Sequence, residues 1–408
     1  MEQYIIPGSA YRKLKAANSL GQTAYIYGAT GYGKTAFIQK YMEKCRPAYL
    51  DCGNRRWDES DVPAQGIVVL DNLHLLEESR REMVRRIIAA PDVWLILISR
   101  SPVPAWLMPE YINVGFMVIK ETDLGLGRQE IAGYLDRLGI SYTEDGLQFL
   151  TEKSKGNAYA VRHAALKMAE GMAPGPQMRK EIHDAFARYL TDYVMVEWDS
   201  ELLEFLMRVS VVDAFTLPLA ELITASRQAS VYLQRAAETG NFLFLEGDVY
   251  RLRPVLLHAL RERAKQSLGE EQLRTCAKNA GVWYEMNGNI SEALEMYERC
   301  GDWGQIRELL VRNARANPGA GHYYELRQYY LCMDEGEAAK SPVLMAGLSM
   351  LHSMLMDAEK SEYWYKKLAD FAKTATGGTK REAQSRLCYL DIGLPHRGSR
   401  DVLKIMLR

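Results

Sequence analysis

Apolar residues in the first third of the chain fall into short β-rich runs separated by segments of helical period, the pattern of a parallel α/β sheet. The runs are Tyr25-Ile26-Tyr27, Ala48–Asp51, Ile67–Asp71, Val93–Ser99 and Phe116–Ile119, each expected as a buried strand. Between them lie a helix over 36–44 and a second carrying Leu76, Met83, Val84, Ile87 and Ile88 on one face. Arg80, Arg81, Arg85 and Arg86 occupy mainly the other face, as solvated surface or, alternatively, as a nucleic-acid patch. From Thr122 the period becomes helical. Ile131, Tyr134, Leu135 and Leu138 recur at i, i+3, i+4 and i+7 and predict one buried face, which Gly139 stops. Further helices are expected from Leu147 to Lys155 and over 158–170, and Gly171–Pro176 breaks the run.

Helices are then predicted over 181–195, 199–209, 217–224 and 228–238. Phe242–Leu245, Glu246-Gly247-Asp248 and Val249–Leu252 read as a hairpin with a tight turn. Helices, a hairpin and one more helix suggest a winged helix. The helix before the wing offers only Arg227 and Arg235 as positive charges, which favours internal packing over DNA reading. From Gln272 the chain is almost wholly helical. Gly281, Tyr284, Ala293 and Tyr297 fall at the small and aromatic positions of a tetratricopeptide-type unit, with Asn287-Gly288-Asn289 as its turn. Later hairpins near 303–334 and 342–373 keep that rhythm, so an α-solenoid is expected, with a plain helical bundle as the alternative. Leu403–Arg408 reads as an apolar helix cut short, as in a piece of a longer protein.

Composition narrows the class. At 408 residues the chain exceeds one ordinary core, and a net charge of −1 with 25% charged residues signals neither nucleic-acid binding nor disorder. Six cysteines without a C-x-x-C pair, and seven histidines without paired metal spacing, fit a reduced, cytoplasmic protein. No apolar run reaches membrane-spanning length, so no membrane partner is expected.

The candidate chemistry sits after the first strand. Gly28-Ala29-Thr30-Gly31-Tyr32-Gly33-Lys34-Thr35 is a G-x-x-x-x-G-K-T loop in its required strand–turn–helix setting. Such a loop curls so that successive N–H groups and a helix N-terminus face bound phosphate. Lys34 is expected at the outer phosphates and Thr35 at Mg²⁺, with ATP or ADP as the nucleotide. Ile67–Asp71 reads as the strand whose terminal carboxylate, Asp71, orders the metal's hydration shell. Many P-loop hydrolases place a second acid next in sequence to accept a proton from water. Here that position is Asn72, which orients water without taking its proton, and Glu77 and Glu78 lie a turn further on. Slow hydrolysis is therefore expected, suited to a switch. Arg100, ending the fourth strand, is placed either to sense the terminal phosphate or simply to cap the strand.

The order of these features resembles the large ATP-dependent LuxR-type transcriptional regulators similar to MalT, within the STAND class of signalling NTPases. Ile6-Pro7, Gly31–Thr35, Leu70–His74 and Ile98-Ser99-Arg100 carry that resemblance. It implies a multidomain α/β plus all-α fold: a P-loop nucleotide-binding domain over 1–120, a small helical domain over 121–180, a winged-helix-like domain over 181–268 and a TPR-like superhelix over 269–408. It also implies an ATP/ADP switch in which the solenoid senses an inducer, the active state self-associates, and a C-terminal helix-turn-helix, absent here, binds promoter DNA. Three departures stand out. Asn72 replaces a second aspartate, Gly156-Asn157-Ala158 stands where the family has Gly-x-Pro, and Arg253 stands where paired histidines are expected. Arg253 is then the candidate substitute for a histidine contact to ADP phosphate. The rival readings are a P-loop ATPase or kinase and a solenoid adaptor with a structural nucleotide site.

Overall fold

The computed structural model describes residues 4–54, 56–239, 242–317 and 322–397. The segment 403–408, where the sequence predicts an apolar helix, lies outside the described residues. Two compact units divide the chain, Met1–Gly269 and Glu270–Arg408.

The first unit opens on a five-stranded parallel sheet: β1 (Ala24–Tyr27), β2 (Ala48–Asp51), β3 (Gly66–Asp71), β4 (Val93–Ser99) and β5 (Met117–Ile119). Their spatial order is β2-β3-β4-β1-β5. Period-two alternation splits the strand residues between two cores. Ile26, Val69, Ile96 and Ile98 pack with Leu14, Phe37 and Ile38 on one face. Tyr25, Val68, Leu70, Leu95 and Leu97 pack with Val84, Ile87 and Ile88 on the other. Helices thus cover both faces, as an all-parallel sheet requires. The strand β2 is not buried as expected: it is the sheet edge, and Tyr49 and Asp51 along it are exposed. Among the arginines of the Arg81–Ala89 helix and its approach, Arg81 lies over Trp106 and Arg80 over Trp57, and Arg85 bonds the Trp106 carbonyl.

Four helices follow, Glu121–Leu124, Arg128–Arg137, Glu144–Ser154 and Ala158–Ala169, around Ile131, Tyr134, Leu135, Leu147, Leu150 and Val161. Leu138 departs from the periodic expectation: it lies just beyond its helix and is 41% exposed. Gly156 packs against the Gly125-Leu126 main chain within this layer. Its φ is +74°, and a Cβ there would sit 2.8 Å from the Leu126 nitrogen and 2.9 Å from Gly125 Cα. Left-handed backbone and a clash against main chain add, so Gly156→Ala is expected to lower unfolding stability by about 2–4 kcal/mol. Denaturant titration checks this; a loss below about 1 kcal/mol would mean the close approach relaxes freely.

The Pro176–Tyr193 helix starts five residues before the predicted 181, because proline is tolerated at a first helical position. A 3₁₀ turn, Met195–Glu197, leads to the Ser200–Val209 helix, capped by Asp199 accepting from the Leu202 N–H at 2.9 Å. The Leu217–Thr224, Ala229–Thr239 and Pro254–Ser267 helices surround an antiparallel sheet ordered β6 (Ala214–Thr216), β8 (Val249–Leu252), β7 (Leu243–Glu246). This is a winged-helix arrangement. Its third strand, β6, is only three residues long and shows no period of its own; pairing with β8 defines it.

The second unit is helical. The Glu270–Met286 and Ile290–Cys300 helices approach so closely that a Cβ on Gly281 would lie 2.8 Å from the Tyr297 ring. The Pro342–Met354 helix is buried from Pro342 to Ser353, and the Ala358–Thr374 and Gly377–Gly393 helices pack with it. Among the described residues, no helix is long and apolar enough to cross a membrane.

Candidate functional site

Sheet order assembles the site. Because β4 lies between β1 and β3, the ends of these strands bring the glycine-rich loop, Arg100 and Asp71 side by side. Above them opens a cavity of about 670 Å³. Thr30, Gly31, Gly33, Lys34, Thr35, Asp71, Asn72 and Arg100 form one wall. Tyr134, Leu138, Ala158, Tyr159, Arg162 and Tyr189 form the other, with Tyr4 and Ile5 from the N-terminal segment. The exposed Leu138 is therefore a cavity residue.

Lys34 is half-buried, with its ammonium in the interior. Its Nζ donates to the carbonyls of Gly28 at 2.7 Å and Ala29 at 3.1 Å. Burial, then the nearby Arg100 charge, lowers its pKa to about 7, with Asp71 and Glu121 opposing. The Thr35 hydroxyl donates to Asp71 Oδ2 at 2.8 Å, and the Tyr49 hydroxyl donates to the same oxygen at 2.5 Å. Asp71 Oδ1 accepts from the Asn72 N–H at 2.8 Å. Asn72 adopts a left-handed φ of 54°, which suits asparagine, and its amide donates to Asp51 Oδ1 at 3.0 Å. His74 is held near the two cations, where burial and then Arg100 and Lys34 drive its pKa to about 2. Its two ring nitrogens and the Thr30 hydroxyl are buried with no hydrogen-bond partner among the described residues.

Gly28, Ala29 and Tyr32 do not line the cavity. Tyr32 turns into the core with Phe37, while the Ala29 N–H donates to Glu121 Oε2 at 2.8 Å. Arg253, expected at a phosphate, instead pairs with that same Glu121 at 3.0 Å and lies over Phe244. It reaches the loop through a carboxylate. Arg100 lines the cavity and makes a two-pronged ion pair with Glu197, at 2.6 and 3.1 Å. Asn157 and Tyr159 also join the loop: Asn157 Nδ2 donates to the Thr30 carbonyl at 3.4 Å and the Tyr159 N–H to the Gly31 carbonyl at 2.9 Å. Sequence reasoning missed Tyr49, Glu121, Tyr159, Tyr189 and Glu197. Asn157 alone carried a local signal, since an asparagine before an alanine-rich helix is an N-cap, here accepting from the Ala160 N–H at 3.0 Å.

Fold and site together define a P-loop NTPase domain joined to a winged helix. The MalT winged helix domain family matches residues 191–272. The chain is similar to the HTH-type transcriptional regulator MalT of Yersinia enterocolitica, 23% identical over 260 residues, covering 60% of this chain and 28% of that protein. It is also similar to the serine/threonine-protein kinase PknK of Mycobacterium tuberculosis, 25% identical over 257 residues, covering 60% of this chain and 23% of that one. Among solved structures, the Walker-type ATPase PABY2304 of Pyrococcus abyssi aligns with a TM-score of 0.49 at 12% identity, over 64% of this chain and 97% of that chain. The chain spans about a quarter of the length of these curated relatives, and its winged helix is of the MalT type.

Proposed function

We propose that this chain is the ATP/ADP-responsive part of a transcriptional regulator, acting as a switch. The observation that carries the reading is the Arg100–Glu197 pair. One partner lines the P-loop cavity, and the other sits on the turn that enters the winged helix. Occupancy of the cavity can therefore bear on the winged helix through this contact. The residues present fit a nucleotide and a divalent cation. The unpartnered Thr30 hydroxyl and buried Lys34 suit phosphate, and Thr35 with Asp71 offers hard oxygen donors for Mg²⁺. A bound Mg²⁺ would neutralise phosphate charge. Arg100 is assigned to the terminal phosphate, and Arg253 to holding Glu121 against the loop. The helical second unit is assigned to an inducer or protein partner, the active state to self-association, and promoter contact to a helix-turn-helix outside these 408 residues. Equilibrium binding of ATP and ADP, with sedimentation in each state, tests the reading; identical association states with both nucleotides, with and without candidate inducers, would defeat it.

Turnover in such a switch is slow because Asn72 cannot take a proton from water. Asn72→Asp is expected to raise steady-state ATP hydrolysis about 10-fold or more, since a positioned base contributes on the order of 10²–10⁴. The new carboxylate would meet Asp51 across the strand ends and cost about 0.2–1 kcal/mol. Unchanged turnover in a folded variant would remove Asn72 from the explanation.

A further inference from the structure

Away from the P-loop cavity, one group of side chains carries metal-ligand chemistry. His183 and Asp184 lie midway along the Pro176–Tyr193 helix, and His258 lies on the Pro254–Ser267 helix packed beside it. The two imidazole rings are 4.6 Å apart between centroids, tilted by 57°. Asp184 Oδ1 is 4.0 Å from His183 Nδ1 and 3.9 Å from His258 Nε2. One donor atom from each residue falls within 4.8 Å of the others. Although His183 and Asp184 are adjacent in sequence, both lie beside His258 of the neighbouring helix.

Two ordinary explanations of this cluster fit poorly. The separations of 3.9 and 4.0 Å are beyond hydrogen-bond length, so the carboxylate is not locked to either ring. A doubly protonated pair would set two positive charges one ring-width apart with a single carboxylate between them. All three side chains remain partly exposed, so an ion and its water can reach them.

We propose that His183, Asp184 and His258 form a divalent transition-metal site, taking Zn²⁺ with water in the remaining position. Two imidazoles and one carboxylate are donors for zinc and its neighbours rather than for Mg²⁺ or Ca²⁺. With metal–donor bonds of about 2.0–2.2 Å, a tetrahedral site has donor–donor edges of about 3.3–3.6 Å. The observed donors, 3.9 to at most 4.8 Å apart, need to close by about 0.3–1.5 Å, a movement side-chain rotation supplies. The metal would tie the helix that enters the winged helix to the helix that ends it, fixing the two ends of that domain together. The site uses none of the cavity residues and stands independently of the nucleotide reading.

The test uses the whole chain, stripped with chelator, in nucleotide-free and Mg²⁺-free buffer. Co²⁺ serves as the spectroscopic probe and Zn²⁺ as the competitor. One equivalent of Co²⁺ is expected to give visible d–d absorption of low-coordinate type, displaced by one equivalent of Zn²⁺, with a rise in the thermal midpoint. His258→Ala and Asp184→Asn are each expected to weaken Zn²⁺ binding at least about 10-fold, while Lys34→Met leaves it unchanged. Asp184→Asn keeps the side-chain shape, so a folding failure of the histidine variant does not spoil the test. Absence of stoichiometric binding, or binding that survives both ligand variants, would overturn the proposal.

Discussion

Lys34→Met is expected to weaken nucleotide binding about 100-fold or more while making the unliganded protein more stable below neutral pH. The two effects share a cause. Lys34 Nζ is enclosed among the loop carbonyls of Gly28 and Ala29, and burial plus Arg100 bring its pKa to about 7 from 10.5. Between those values the unfolded chain binds the proton and the folded protein does not, so stability rises with pH across that window. Below about pH 7 the folded protein carries the full cost of a buried ammonium. Methionine keeps the length and removes the charge, and replacing buried charge by a well-packed apolar group stabilises by about 1–4 kcal/mol. The gain over the parent is expected to be full at pH 6 and to vanish above pH 10.5. Polyphosphate reverses the balance by offering the ammonium counter-charge, so ATP binding near pH 8 should take up a proton. Calorimetry in buffers of different ionisation enthalpy reads that uptake, and thermal melts across pH read the stability. A variant that binds ATP within threefold of the parent, or is less stable at pH 6, would contradict the assignment of Lys34.

What sequence made legible here is what local pattern encodes. The parallel α/β sheet follows from apolar runs alternating with helical periods, and the G-x-x-x-x-G-K-T loop is defined within eight residues, Gly28 to Thr35. Even the position of Arg100 between Lys34 and Asp71 follows once β4 is placed between β1 and β3. Contacts that close the site from a distance left no such mark. Glu121 reaches the Ala29 N–H across 92 residues and Glu197 reaches Arg100 across 97, and neither sits in a motif. The strand β2 reads as buried because Ala48, Tyr49 and Leu50 make an apolar run, but edge or centre depends on which strands pair, and its four residues cannot say. Leu138 fits a helical stripe by spacing alone, yet its helix ends at Arg137 and leaves it facing the cavity.

Glu197→Gln is expected to raise ATP affinity about 10-fold while leaving ADP affinity nearly unchanged. The parent ion pair is two-pronged, and both side chains are largely shielded, 13% exposed for Arg100 and 29% for Glu197. A terminal phosphate can recruit the guanidinium only by displacing this carboxylate, so the free energy of the pair is subtracted from the affinity of the triphosphate alone. Glutamine preserves shape and one acceptor but lowers the Coulomb attraction, which releases Arg100 at lower cost. Arg100→Ala should do the opposite, removing the group that distinguishes the two nucleotides and bringing their affinities together. Because linkage is reciprocal, whatever ATP does to the Met195–Glu197 turn, that turn does to ATP. The Glu197→Gln protein should accordingly occupy the self-associated state at lower ATP concentration, as read by sedimentation. An ATP-to-ADP affinity ratio equal to the parent's, in a variant that melts normally, would mean that Arg100 never leaves Glu197 for phosphate. Arg253 with Glu121, a second bridge from the winged helix to the loop, would then be the next link to test.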